Sequence, residues 1–210
     1  MENSYNNVNN WLSINIVPPE PIKIDYRLPK NLIPYDYKIF IKPQFTTIVN
    51  NSSFPYEGEV TISFNCVENT NRLIFHINKL LINGDSLSVK GVSDTSFTEI
   101  KGFSWTNDIE RQFFVANLAQ QFKANQNYSV FVQFTGYLTD DNAGFYRSSY
   151  LDNNQQRRWL LTSQMEPTDA RKSFPCFDEP AMKAIFTIRV EHAPDYEAFS
   201  NMPVASVTNQ

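Results

Sequence analysis

Among 210 residues there are two histidines, two cysteines and six glycines, and each scarcity removes a class of function. Glycine loops that cradle phosphate or dinucleotide need close backbone approach, and with so few glycines and no such motif a nucleotide cofactor is not expected. No Cys-x-x-Cys and no Gly-x-Ser-x-Gly occurs, which excludes the common redox pair and the nucleophile elbow. Two cysteines, Cys66 and Cys176, are too few for a disulfide framework, and they are expected as unpaired thiols. Basic residues are also in short supply. The formal charge is −4 with a pI near 5.2, and no cluster of Lys and Arg exceeds a pair such as Arg157-Arg158, so no electrostatic footprint exists for nucleic acid or anionic lipid. No apolar run approaches the roughly 18 residues of a membrane-crossing helix. The first residues are polar and Asn-rich, unlike a secretory signal, and the default expectation is a cytoplasmic chain.

What is abundant is aromatic and β-branched. Aromatic residues make up 14% of the chain, with 17 Phe and 10 Tyr, which favours sheet over helix. Residues 1–25, with Asn runs and Pro18-Pro19-Glu20-Pro21, are expected to form an extended or disordered leader, and residues 26–210 one folded domain. Within it, Gly58-Glu59-Val60-Thr61-Ile62-Ser63-Phe64-Asn65-Cys66 alternates strictly, placing Val60, Ile62, Phe64 and Cys66 on one buried face. Strand-like runs also occur at 35–43, 72–82, 85–92, 111–118, 128–138, 144–149, 158–165 and 184–191, separated by turn residues. The expected fold is all-β, an antiparallel β-sandwich. The one helical turn expected is Thr168–Phe174, with Thr168 as its cap and Pro175 as its stop. Sequons stand at Asn50, Asn51 and Asn127 and matter only if the chain is secreted.

The most distinctive stretches are Gly144-Phe145-Tyr146-Arg147-Ser148, Thr162-Ser163-Gln164-Met165-Glu166-Pro167-Thr168-Asp169-Ala170-Arg171 and Phe174-Pro175-Cys176-Phe177-Asp178-Glu179-Pro180. In that order and spacing they resemble the amino-terminal domain of the aminopeptidase N-like zinc metallopeptidases. Arg27-Leu28-Pro29, Pro34-Tyr35-Asp36-Tyr37, Gly58-Glu59-Val60, Gly136-Tyr137-Leu138 and Ser200-Asn201-Met202-Pro203 support the match, which runs from about Tyr26 to the end.

The resemblance implies a saddle-like sandwich that packs on a catalytic zinc domain and closes one end of its cleft. It implies further that Gln164, Met165 and Glu166 form a substrate-binding segment, with Glu166 holding the peptide's free amino group and Gln164 lining the pocket for the first side chain. The peptide amino terminus and the catalytic domain are thus the implied partners. Membrane or extracellular location is typical of many such proteins. A peptide α-amine, with a pKa of about 7.7–8.0, is largely protonated near neutrality, so a carboxylate in a partly desolvated cleft attracts it. Arg171 is expected to pair with a neighbouring carboxylate, Asp169, Asp178 or Glu179, in bidentate fashion and so pin the turn that presents Glu166. Phe174 and Phe177 are expected in the core, Pro175 and Pro180 as backbone restraints, and Cys176 as a small buried hydrophobe.

Hydrolysis in such enzymes needs zinc held by a His-Glu-x-x-His helix and a downstream Glu. His76 is followed by Ile77-Asn78-Lys79 and His192 by Ala193-Pro194-Asp195, so neither starts that motif, and the Gly-x-Met-Glu-Asn element that supplies a second amine-binding carboxylate is missing too. The expectation is a truncated domain with no metal, no cofactor and no catalytic residue of its own. It would be inactive alone and would serve substrate recognition beside a catalytic domain, or act as a non-catalytic peptide-binding or interaction module.

Overall fold

The computed structural model describes residues 24–44, 54–94, 96–101 and 103–208, so the expected leader lies outside the described residues except for its end. Eleven strands are described: β1 Leu32–Pro43, β2 Phe54–Cys66, β3 Thr70–His76, β4 Leu81–Gly91, β5 Ile100–Lys101, β6 Ser104–Asp108, β7 Phe113–Phe122, β8 Gln126–Leu138, β9 Gly144–Leu151, β10 Arg157–Gln164 and β11 Ile185–Val190. The only helical element among them is a 3-10 turn, Ala170–Lys172.

The alternation of β2 dictates the layering. Val60, Ile62, Phe64 and Cys66 are all fully buried, with half-exposed polar residues between them. β2 is central in a six-stranded sheet ordered β11-β1-β2-β8-β4-β5, and a three-stranded sheet β3-β7-β6 packs across from it. Rings lock the layers: Phe64 of β2 meets Phe122 of β7 at 5.4 Å, and Tyr128 of β8 meets the same Phe122 at 4.7 Å. Such aromatic pairs contribute about 0.5–1.5 kcal/mol beyond the area they bury. The hairpin of β9 and β10 is a separate two-stranded sheet, seated on the other end of β2 through Phe54–Trp159 and Tyr56–Phe145 contacts.

The all-β sandwich architecture is as expected, with three refinements. First, β11 runs parallel to β1, pairing Asp36 with Ile185 through Ile41 with Val190, so the large sheet is mixed. A hairpin cannot join parallel partners; the chain from β1 to β11 runs through every other strand, and its last irregular stretch, Gln164–Pro180, is the crossover from β10 towards the β1 edge. Second, the 72–82 run breaks after His76, because Lys79 takes a positive φ of 58° and turns the chain into β4. Third, β5 and β6 carry no alternating apolar signal, and neither is among the strands expected from the sequence.

Pro34 has no N–H for the ladder, and β1 absorbs this with a bulge between Pro34 and Asp36. Cys66 and Cys176 are both free and buried, and burial raises both thiol pKa values.

Candidate functional site

The segments that stand out in the sequence are linked in space: Gly144 abuts Lys172 and Ser173, and Arg171 binds Asp178. β9 and β10 pair in antiparallel register from Arg157↔Leu151 to Gln164↔Gly144, so Gln164 is the last residue of its strand and sits opposite Gly144. Gly144 has a φ of +67°, and a Cβ there would lie 2.6 Å from the Lys172 Cβ and 3.2 Å from the Ser173 hydroxyl. Only glycine lets the hairpin come this close to the 3-10 turn.

Beyond Gln164 the chain leaves the strand and is held from below. Tyr56 is fully buried, with its ring over Gly136, where a Cβ would fall 2.1 Å from the ring. That placement lets its hydroxyl share one proton between the carbonyls of Ser173 at 3.0 Å and Lys172 at 3.1 Å. The turn itself closes through Asp169 N–H to the Met165 carbonyl at 2.8 Å and Ser173 N–H to the Ala170 carbonyl at 2.8 Å. Asp169, not Thr168, occupies the cap position, and it makes no side-chain cap bond. Its carboxylate meets Lys172 Nζ at 2.9 Å instead, and because the helical turn begins at Ala170 the expected Thr168 cap lies one residue too early.

Arg171 is buried, and its partner is Asp178. Nε donates to the Asp178 carboxylate at 2.9 Å, Nη2 to the Asp178 backbone carbonyl at 3.2 Å, and Nη1 to Gln112 at 3.2 Å. The expected fork onto two carboxylate oxygens is thus replaced by contacts to one carboxylate oxygen, one carbonyl and one amide. Asp169 is taken by Lys172, and Glu179 binds Arg27 through one oxygen and the Leu28 N–H through the other, the latter at 3.0 Å.

Phe174, Pro175, Cys176 and Phe177 are all buried, while Pro180 is exposed. Cys176 exchanges backbone hydrogen bonds with His76, and the Phe177 N–H donates to the Tyr37 hydroxyl at 3.0 Å. The segment is irregular, yet its backbone polar groups are widely paired.

His76 sits beneath it. Its Nδ1 accepts the Asp178 N–H at 3.2 Å, and its Nε2 is buried. Burial, with the Arg171 guanidinium as the second cause, lowers the pKa of His76 to about 3, so the ring is neutral. With one ring nitrogen committed to Asp178 and the rest enclosed, His76 does not fit a metal site. His192 lies past β11, on an exposed stretch. Among the described residues no group of three or more His, Cys, Asp or Glu is placed to hold a metal ion.

Out of this anchored base three residues emerge. Gln164 and Glu166 are exposed, and Met165 between them is half-buried against the core. No cation is paired with the Glu166 carboxylate among the described residues, and the nearest polar link is a long 3.4 Å contact from the Gln164 amide to the Glu166 carbonyl. The arrangement offers a solvent-facing carboxylate and amide on a backbone fixed from behind.

Residues supporting that base, Tyr56, Gln112 and Tyr37, are not singled out for it by the sequence. Gly136 opposite an aromatic strand is the one local cue, since glycine inside a strand marks a close approach.

Comparison with known proteins gives a consistent picture. Residues 33–210 match the family described as the peptidase M1 N-terminal domain. Aminopeptidase N of Bos taurus is 42% identical over 181 residues, covering 85% of this chain and 18% of that protein. Aminopeptidase Ey of Gallus gallus is 41% identical over 184 residues, covering 86% of this chain and 18% of its own. Membrane alanyl aminopeptidase of Manduca sexta is 35% identical over 191 residues, covering 87% and 19%. The chain therefore spans about a fifth of the length of these curated relatives, and no helix among its described residues is long and apolar enough to cross a membrane.

Proposed function

Because the chain belongs to the peptidase M1 N-terminal domain family, we propose that residues 26–210 are the substrate-recognition domain of a zinc aminopeptidase, with Gln164, Met165 and Glu166 as its peptide-facing segment. Glu166 receives the ammonium group of a peptide's free amino terminus, and Gln164 lines the pocket for the first side chain. The observation that carries the reading is the Glu166 carboxylate itself, exposed, without an ion-pair partner among the described residues, and mounted on a loop tied down at several points.

Docking against a catalytic domain would partly desolvate this carboxylate. A fixed negative charge there selects a free amino terminus over an internal stretch of peptide. It also sets the distance from the amine to the first peptide bond, so that one residue is removed at a time. No group among the described residues fits zinc; in this reading zinc chemistry belongs to a catalytic domain in a complete enzyme, and no hydrolytic step is assigned to these residues.

The test is Glu166→Ala in a complete aminopeptidase that carries this domain. Loss of a charge-assisted contact of roughly 1.5–3 kcal/mol should lower kcat/KM by about tenfold to a hundredfold. Unchanged efficiency in a folded variant would refute the assignment.

A further inference from the structure

Met165 sits between the two residues assigned to the peptide, but its side chain turns the other way. It packs half-buried on the core, while Gln164 and Glu166 on either side are exposed. Two bonds hold it. Its carbonyl accepts the Asp169 N–H at 2.8 Å, and its sulfur accepts the hydroxyl proton of Ser173 at 3.3 Å.

Ser173 is completely buried, and its hydroxyl donates to the Met165 sulfur. A thioether is a weak acceptor, but a buried hydroxyl with no acceptor at all is costlier still. Ser173 is immobile in its turn. Its N–H bonds the Ala170 carbonyl, its own carbonyl takes the Tyr56 hydroxyl, and a side chain on Gly144 would begin 3.2 Å from its Oγ.

We infer that Met165 is a positioning residue, a latch onto Ser173 that fixes how far Gln164 and Glu166 stand out from the sandwich, rather than a residue that touches the peptide. The inference rests on the reading of Glu166 as the ammonium site. Met165 is the one inward-packed residue between Ser163 and Thr168, so it is the point from which the exposed Gln164 and Glu166 are held. Removing the insert frees the loop to sink or swing, and displacement by about 1 Å is enough to misplace a bound amine. The exposed residues then keep their chemistry and lose their register.

Two measurements separate this role from general packing. In the 210-residue chain, amide hydrogen exchange at Asp169, whose N–H ends on Met165, should quicken by at least about tenfold in Met165→Ala, while amides in the middle of β2 and β8 stay protected. Unchanged exchange at Asp169, or equal loss of protection across the sheet, overturns the latch. In a complete aminopeptidase carrying this domain, Met165→Ala should lower kcat/KM by about tenfold, and the same change should have less than about a twofold effect once Glu166 is already Ala, because a latch acts only through what it positions. Losses that multiply independently reject the positioning role while leaving Glu166 in place; a silent Glu166→Ala rejects the underlying reading and with it this inference. Met165→Leu supplies a finer check. It keeps the bulk but strands the Ser173 proton, and adding Ser173→Ala, which removes that proton, should restore activity towards that of the unaltered enzyme. Failure of the second substitution to restore it rejects the sulfur–hydroxyl contact as part of the latch.

Discussion

The crossover from Gln164 to Pro180 and the strand that follows it are opposites. The crossover has almost no regular structure, yet Arg171, Ser173, Phe174, Cys176 and Phe177 are buried and its groups bond to Tyr37, Tyr56, His76 and Gln112. β11 is fully regular, yet all six of its residues are exposed, with Ile185 at 71% and Ile188 at 54%, and among the described residues it pairs along one edge only. Regular backbone and firm anchorage are therefore separate properties. Elsewhere in this domain they coincide, and at the candidate site anchorage comes from side chains far away in sequence.

The sharpest way to break the contrast is Arg171→Ala. It leaves the Asp178 carboxylate and the Gln112 amide facing an empty space, and the expected loss of stability is about 3 kcal/mol or more, measured by urea unfolding. A loss below about 1 kcal/mol would mean the crossover is held by its aromatic residues alone.

Acid should loosen the same region next. His76 has a folded pKa of about 3 against an unfolded value near 6.5, so between these limits the unfolded chain binds a proton that the folded chain refuses. Stability is full above about pH 6.5 and falls as pH drops towards 3, by at most about 1.4 kcal/mol per pH unit. The carboxylates with lowered pKa act later: Asp141, held down to about 2 by Lys79 and then Thr139, gives up its contribution only below about pH 4. A His76→Gln variant should flatten the stability profile between pH 6.5 and 4.5. An unchanged slope there would show that another group titrates.

The smallest effect should come from β11. Ile188→Glu replaces an exposed side chain and should change unfolding stability by no more than about 0.5 kcal/mol. A much larger loss would erase the distinction between the two regions.

How legible all this was in sequence follows the same divide. β2 could be read residue by residue, because alternation is a local signal and one face really is dry. The motif residues were legible as a set through family resemblance, and the burial of Phe174, Phe177 and Cys176 follows from their apolar character. The parallel seat of β11 on β1 was not legible, since both edges look alike until the crossover is traced. Nor was the choice of Asp178 as partner of Arg171, because three carboxylates lay within reach along the chain and one of them, Glu179, is held instead by Arg27 and Leu28, 152 and 151 residues away. β6, Ser104–Asp108, has no apolar face to betray it; it forms because β7 presents an edge.

The Leu28 amide bonds to Glu179, 151 residues on, the Phe177 amide to Tyr37, 140 residues back, and the Asp178 amide to His76, 102 residues back. Contacts that close such long stretches of chain carry the greatest loop-closure entropy and are slow to form relative to hairpins such as β9–β10. During synthesis none of them can form until residues 176–180 have emerged, well after β1 to β8 are free to pair. The Gln164–Glu166 segment is thereby a late product of folding, assembled only on a sandwich that already exists, so a chain that stalls part-way presents sheets without presenting the proposed site.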